Sequence, residues 1–374
     1  MKKQSFIYGM LMATSFLACE NELPFRDKPQ GPQLLMNAFL EAGKEKNEVF
    51  LHIVDGNGTT SFLEGAIIVY VNDEKTEETD VKGGSYMSKY TVKSRFCPGD
   101  RIRLEAALEG GKYQGSAEVR IPQPIEEAIR VDTLRTQLKV GVSMQDCMRY
   151  RIAIHDRQGE KNYYRLVIEK RIRRITPEGE MFTEVQGLDV INQEDIVLTD
   201  GHLTTSDDDE FGVLDMTVRN VRNVFTDSRF PDGSYTLNVY TYYPDFQGWG
   251  SDRKNHIQVD VVVRLLSITE AQFRYLRAMN CLDSEDYNET FMEPVIVPQN
   301  VSGGLGFVGA SSEQRVTLRM VDRAAIMVMD YHLFDTLFFV VFFIPFMQAL
   351  QLEGKHNPED SDDQQSVRDH IDKG

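Results

Sequence analysis

The sequence predicts a mostly β protein: an N-terminal β-sandwich of immunoglobulin-like or transthyretin-like size, then a second β-rich domain with one amphipathic helix. Three observations carry this expectation. Apolar and polar residues alternate with period two in short segments, Gly, Pro, Asn and Asp punctuate those segments, and helical spacing occurs once in the body of the chain.

The sandwich is placed at residues 34–125. Residues 48–54 run into Asp55-Gly56-Asn57-Gly58, whose Asp-Gly and Asn-Gly pairs supply the positive φ angles of a tight hairpin. Residues 65–72 are rich in Ile, Val and Tyr. After the turn Pro98-Gly99-Asp100, Ile102, Leu104 and Ala106 alternate with Arg101, Arg103 and Glu105, so one face is buried and the other wet. Ala117, Val119 and Ile121 repeat the alternation until Pro122-Gln123-Pro124 ends it, since proline cannot donate to a ladder.

The second domain is placed at 126–322. Residues 149–155 and 162–172 flank Asp156-Arg157-Gln158-Gly159 and read as a hairpin. Further strands are expected at 213–218, 235–242 and 257–265, the last so continuously apolar that it suits burial on both faces. Ser267-Ile268-Thr269-Glu270 fits a capping box, and Phe273, Tyr275, Leu276 and Met279 follow at helical spacing, giving a helix over 269–281. Gly304-Leu305-Gly306-Phe307-Val308-Gly309 formally matches a dinucleotide-binding glycine pattern. The required strand, helix and distant acid are missing around it, so it reads as a glycine-rich turn or close backbone approach before a last strand.

The N-terminus gives an address. Lys2 and Lys3 precede an apolar run, 6–18, that ends at Cys19, a secretory signal too short to span a membrane permanently. Phe16-Leu17-Ala18-Cys19 resembles a lipobox, which implies a signal peptide over 1–18, diacylation of the Cys19 thiol, and a mature chain starting there. Residues 19–33 then form a tether. Each buried methylene contributes about 0.8 kcal/mol, so several acyl chains hold a domain at a membrane almost permanently. Glu20 and Glu22 resemble the surface-export signal of Bacteroidota lipoproteins.

The net charge of −17 becomes more negative once Lys2 and Lys3 are removed, which argues against nucleic acid as a partner. Cys97, Cys147 and Cys281 are an odd, widely spaced set that implies no disulfide framework. They read as mostly buried free thiols, with one bridge plus a leftover thiol as the alternative. No two of the seven histidines stand at ligand spacing, so no metal and no cofactor is expected. There is no nucleophile elbow, phosphate loop or paired-cysteine motif, and no catalytic residue is assigned. Glycosidase carboxylates need only be neighbours in space, which keeps a glycan-degrading enzyme as an alternative.

Three segments offer binding chemistry. Asp207-Asp208-Asp209-Glu210 lacks the ligand alternation of a calcium loop and reads as a solvated loop. Lys170-Arg171-Ile172-Arg173-Arg174 is either the wet face of a strand end or a site for an anionic sugar or lipid headgroup. Tyr242, Tyr243, Phe246 and Trp249 form an aromatic loop that either stacks a ligand such as a sugar or packs back on its own sheet. Residues 323–374 form an atypical tail, apolar over 336–350 and then acidic. Interrupted by Pro345 and short of a span, it reads as an appendage or a segment that packs against a partner.

Several segments together resemble a known family, the Bacteroidota outer-membrane lipoproteins classed as a domain of unknown function, DUF4249. They are Cys19-Glu20, Gly65-Ala66-Ile67-Ile68-Val69, Cys97-Pro98-Gly99-Asp100, Ile121-Pro122, Asn162-Tyr163-Tyr164-Arg165, the capped helix, and Pro294-Val295-Ile296-Val297-Pro298-Gln299-Asn300-Val301-Ser302-Gly303-Gly304-Leu305-Gly306. The likeness extends over residues 19–322. It implies a non-catalytic accessory or binding protein, lipid-anchored in the outer membrane and facing the exterior. The implied partners are a TonB-dependent transporter and a glycan or other nutrient ligand. A glycan-degrading surface enzyme and a structural or adhesive surface lipoprotein are the alternatives.

Overall fold

The computed structural model describes residues 31–54, 64–81, 89–157, 159–176, 179–201, 219–243, 256–284 and 294–324. The chain begins with β1 (Gln33–Glu41), β2 (Asn47–Val54), β3 (Gly65–Val71), β4 (Glu74–Val81), β5 (Lys89–Val92), β6 (Arg101–Leu108) and β7 (Tyr113–Arg120). It continues through β8 (Arg130–Val140), β9 (Ser143–His155), β10 (Tyr163–Thr176), β11 (Gly179–Gly187), β12 (Val224–Thr226) and β13 (Ser234–Tyr242). β14 (His256–Ile268), α1 (Glu270–Leu282) and β15 (Val308–Ala324) complete it. The protein is mostly β with one α-helix among the described residues, as its alternating pattern requires.

An eight-stranded sheet in the order β11-β10-β14-β15-β1-β2-β5, with β12 beside β10, runs through the molecule. A four-stranded sheet, β4-β3-β6-β7, faces one end of it and a three-stranded sheet, β13-β9-β8, faces the other. The first core lies between β1, β2 and the four-stranded sheet. Leu34, Met36, Leu40, Val49 and Leu51 meet Ile67, Val69, Ile102, Leu104 and Ala117 there. Ile102, Leu104 and Ala106 point inward between outward Arg101, Arg103 and Glu105, as the period-two pattern dictates. The second core joins Tyr150, Ile152, Ile154, Leu237 and Val239 of the small sheet to Leu166, Ile168, Val261, Val263 and Val316.

Ile125 already lies in the second core, and the large sheet runs through both cores. Val308 of β15 pairs with Ala38 of β1, in parallel, and farther along β15 Val316 pairs with Val263 of β14, antiparallel. At about 3.3 Å per residue, a strand of this length is long enough to serve both cores. Val301, Val308 and Ala310 accordingly belong to the first core.

Two expected hairpins are sheet-to-sheet crossings instead. β2 pairs with β1 and β5, whereas β3 pairs with β4 and β6, so the chain leaves one sheet for the other after Val54. Asp55 to Gly58 lie outside the described residues. Likewise β9 pairs with β8 and β13 while β10 pairs with β11, β12 and β14. The reason is burial: Tyr150, Ile152 and Ile154 must face Tyr164, Leu166 and Ile168 across the second core rather than lie beside them. The strand expected at 213–218 and the tail beyond 324 also lie outside the described residues. Of the three cysteines, Cys147 is buried, Cys281 half-buried and Cys97 exposed, all as free thiols.

The helix starts one step later than its sequence signal. Ser267 remains in β14, paired with Ser312, and Thr269 is the cap, its side chain accepting from the Gln272 amide at 3.2 Å. α1 packs on the face of the large sheet opposite the cores, where Tyr275, Leu276 and Met279 meet Leu266, Ile268 and Phe307. No described helix is long and apolar enough to cross a membrane.

The glycine segment is a close backbone approach. Leu305 donates to the Leu34 carbonyl at 2.7 Å and accepts from the Met36 amide at 2.9 Å, while Ser302 pairs with Ser116 of β7. A Cβ at Gly306, whose φ is +113°, would lie 2.2 Å from the Met36 carbonyl oxygen. Gly306→Ala is therefore expected to cost at least about 2 kcal/mol in denaturant unfolding. Gly187→Ala, where a Cβ meets nothing within 4 Å, should stay within about 0.5 kcal/mol. Equal effects of the two changes would show that the approach does not constrain the fold.

Candidate ligand-binding face

A sheet face normally buries apolar side chains. Beyond α1, the outer face of the large sheet instead carries charge, because successive same-face positions on β10, β14 and β15 hold Arg and acid. Cross-strand rows follow from the register: Arg165 lies opposite Leu266 and that opposite Glu313; next come Val167, Arg264 and Arg315; then Glu169, Val262 and Thr317; then Arg171, Asp260 and Arg319. Apolar residues in the first row meet the helix; in the later rows Val262, Asp260 and Glu169 are buried, while Arg315 and Arg319 of β15 are exposed.

Arg264 is the centre of this ladder. Its guanidinium donates to Glu313 at 2.5 Å, Glu169 at 2.7 Å and Glu41 at 2.7 Å, reaching strands β15, β10 and β1 from β14. Each carboxylate is shared again. Glu169 also meets Arg171 at 3.1 Å, Glu313 meets Arg315 at 3.7 Å, and Glu41 meets Lys44 at 2.5 Å. Asp260, almost fully buried, is held by Arg173 at 2.5 Å and Arg319 at 3.4 Å.

Burial opposes the charge of Arg264, but Glu41, Glu313 and Glu169 outweigh it and raise its pKa. Burial likewise works against the Glu169 carboxylate, and Arg264 and then Arg171 overcome it, holding that carboxyl below its usual range. Counting described side chains, Arg165, Arg171, Arg173, Arg264, Arg315, Arg319 and Lys44 stand against Glu41, Glu169, Asp260 and Glu313. The face is thus net positive in a protein of net charge −17. Arg315 and Arg319 are 57 % and 55 % exposed, so a ligand reaches them from solvent.

The basic run noted in the sequence is partly this face: Arg171 and Arg173 are on the ladder and paired. The ladder is not legible in the sequence, since 257–265 reads as buried on both faces. It is, yet Asp260 and Arg264 share one face at even spacing, and two charges inside an apolar strand were the available signal.

The aromatic loop is only partly described. Tyr242 ends β13, 47 % exposed, opposite Cys147. The Tyr243 ring carries the Arg135 guanidinium at 4.2 Å, Arg135 forks onto Asp146, and the Tyr243 amide donates to the Asp146 carbonyl at 2.9 Å. One tyrosine therefore faces solvent and the other is fastened to the β8–β9 pair. Phe246 and Trp249, like Cys19, Glu20 and Glu22, lie outside the described residues, as do Asp207 to Glu210.

One carboxyl pair lies elsewhere. Burial, with Asp227 beside it, pushes the Asp156 carboxyl up against the opposing pull of the Tyr164 hydroxyl and Asn162. Asn162 donates from its amide nitrogen and side chain to Asp227, at 2.8 and 3.1 Å, so the pair fastens the crossing between β9 and β10. Among the described residues no group of three His, Cys, Asp or Glu is placed to hold a metal ion.

The chain is a member of the family described as domain of unknown function DUF4249, whose model matches residues 20–317. No curated protein matches it. Among solved structures, a β-glucuronidase of Parabacteroides merdae aligns at 12% identity with a TM-score of 0.19, covering 63% of this chain and 23% of that one. An α-L-rhamnosidase of Aspergillus terreus aligns at 12% identity with a TM-score of 0.24, covering 62% and 27%. A putative membrane anchored protein of Corynebacterium diphtheriae aligns at 13% identity with a TM-score of 0.18, covering 64% and 55%. This chain thus spans well under two thirds of those proteins' lengths, and at these scores none bears on its function.

Arg264 gives a direct test of the ladder. Arg264→Met leaves Glu41, Glu169 and Glu313 without their common cation, and about 3–5 kcal/mol of unfolding free energy should be lost. A loss below about 1 kcal/mol in urea titration would mean that the three carboxylates are satisfied without it.

Proposed function

We propose that this protein is a non-catalytic binding protein, held at the outer membrane by lipid on Cys19, facing the cell exterior, and working with a TonB-dependent transporter in nutrient capture. The observation that carries the binding part is the arginine and carboxylate ladder, with Arg315 and Arg319 exposed on it. Desolvating charge on a sheet face opposes folding unless each group is paired, and a face built this way at the centre of the largest sheet is suited to recognising polar ligands. The ladder carboxylates are engaged by arginine, and the Glu169 carboxyl is held below its usual range, the opposite of what a general acid needs. Support for the address is the basic segment, apolar run and Phe16-Leu17-Ala18-Cys19 order, with Glu20 and Glu22 behind it. Family membership is consistent with this reading and supplies no reaction of its own.

Affinity purification of the tagged full-length chain from native outer membranes should bring down a TonB-dependent transporter in stoichiometric amount, and Cys19→Ser should shift the protein from the membrane to the soluble fraction. Absence of any transporter sinks the accessory role. Unchanged fractionation of the Cys19→Ser chain sinks the lipid anchor. Release of reducing sugar from a glycan panel would replace the binding reading with catalysis.

A further inference from the structure

Among the described residues, Arg165 is the ladder-face arginine with no ion pair to a carboxylate. Its row runs Val224, Arg165, Leu266, Glu313, and Glu313 is about 10 Å away across two strand spacings and already committed to Arg264. On the same face of β10 its neighbours are Tyr163 and Val167, both packed in the apolar cluster beneath α1. The Arg165 Nε is wholly buried and has no hydrogen-bond partner. Arg222 and Arg264 flank it, each already engaged by acids, Arg222 with Asp283 at the end of α1 and Arg264 with its three glutamates. Burial first, then Arg222 and Arg264, pull the Arg165 guanidinium down to about 10, against the opposing influence of Glu41.

A guanidinium whose Nε is buried, flanked by two arginines and influenced by Glu41 without an ion pair to it, is costly for folding alone. Supplying an oxyanion would satisfy it, because the guanidinium fork matches carboxylate, sulfate and phosphate geometry in a bidentate way. We propose that Arg165 anchors an oxyanion-binding site at the edge of α1, which takes the carboxylate or phosphate group of a small acidic ligand. A small ligand fits better than a long polyanion, since the net charge of −17 repels an extended chain of like charge beyond this local positive face. The proposal rests on the binding reading above and names its ligand chemistry.

The test uses the full-length lipoprotein in neutral detergent at constant ionic strength, titrated separately with glucuronate and with inorganic phosphate against a chloride reference. At least one should raise the melting temperature saturably. A response to glucuronate alone identifies a sugar acid as the source, and a response to phosphate alone identifies a phosphate. Arg165→Met should weaken the apparent Kd at least tenfold while melting no lower than wild type without ligand, since an unpaired buried charge has been removed. Arg165→Lys keeps the charge and loses the fork, so it should bind more weakly with little change in melting temperature, and it serves if the methionine variant fails to fold. Unchanged binding in either folded variant, or no saturable response to either probe, overturns the assignment. A transporter that still co-purifies in that case leaves the anchored accessory reading standing. Loss of the transporter with Arg165 binding intact would reject only that reading.

Discussion

β15 lies between β14 and β1, and both cores and the helix depend on that placement. Its first residues pair in parallel with Ala38 to Glu41, and its later ones pair antiparallel with β14 over a much longer register. Such closeness at the entry is possible only without side chains at Gly304 and Gly306, where a Cβ would fall within 2.5 Å of the Leu34 and Met36 carbonyls. Asn300 steadies the same entry, donating to the Val308 carbonyl and accepting from the Val308 amide at 2.8 Å each way. Gly309 then leaves room for Gln272, which lets α1 settle on the sheet beside Phe307.

With β15 in place, the large sheet has one face committed to two cores and one face divided between helix and charge. The charged part is stable because no carboxylate on it is served by a single cation: Glu169, Glu313 and Asp260 each bridge two arginines. Removing an ion from water is costly, and shared hydrogen-bonded counter-charges offset much of that cost. Arg264 also ties β14 to β1 and β10 as well as to its neighbour β15, so a slip in register would strand at least one acid. The ladder therefore fixes strand alignment as well as presenting charge.

Much of the β architecture was legible in the sequence. Ile102, Leu104 and Ala106, and later Ala117, Val119 and Ile121, alternate cleanly because their sheet buries one face. Helix α1 was legible for the same reason, with its cap moved from Ser267 to Thr269 because strand pairing with Ser312 won over capping. Pairing partners were not legible. Two adjacent strands joined by a turn look alike whether they lie side by side or face each other across a core, and Ile154 and Tyr164 do the latter. The ladder was harder still, because Glu41, Arg165, Arg264 and Glu313 are far apart in the chain and meet only through the β1–β15–β14–β10 order. Period two could place Asp260 and Arg264 on one face, but not name their partners.

The parallel contact between the first strand and the last has a consequence for the order of events in a chain delivered from its N-terminus. β1 emerges with one edge open, and the segment that fills it, with Val301, Val308 and Ala310 for the first core, arrives only after the whole second core has been made. The leading sandwich is therefore completed only when this last strand arrives, and closure over so long a sequence separation is slow. Until then the free edge of β1 is a template for pairing with another chain.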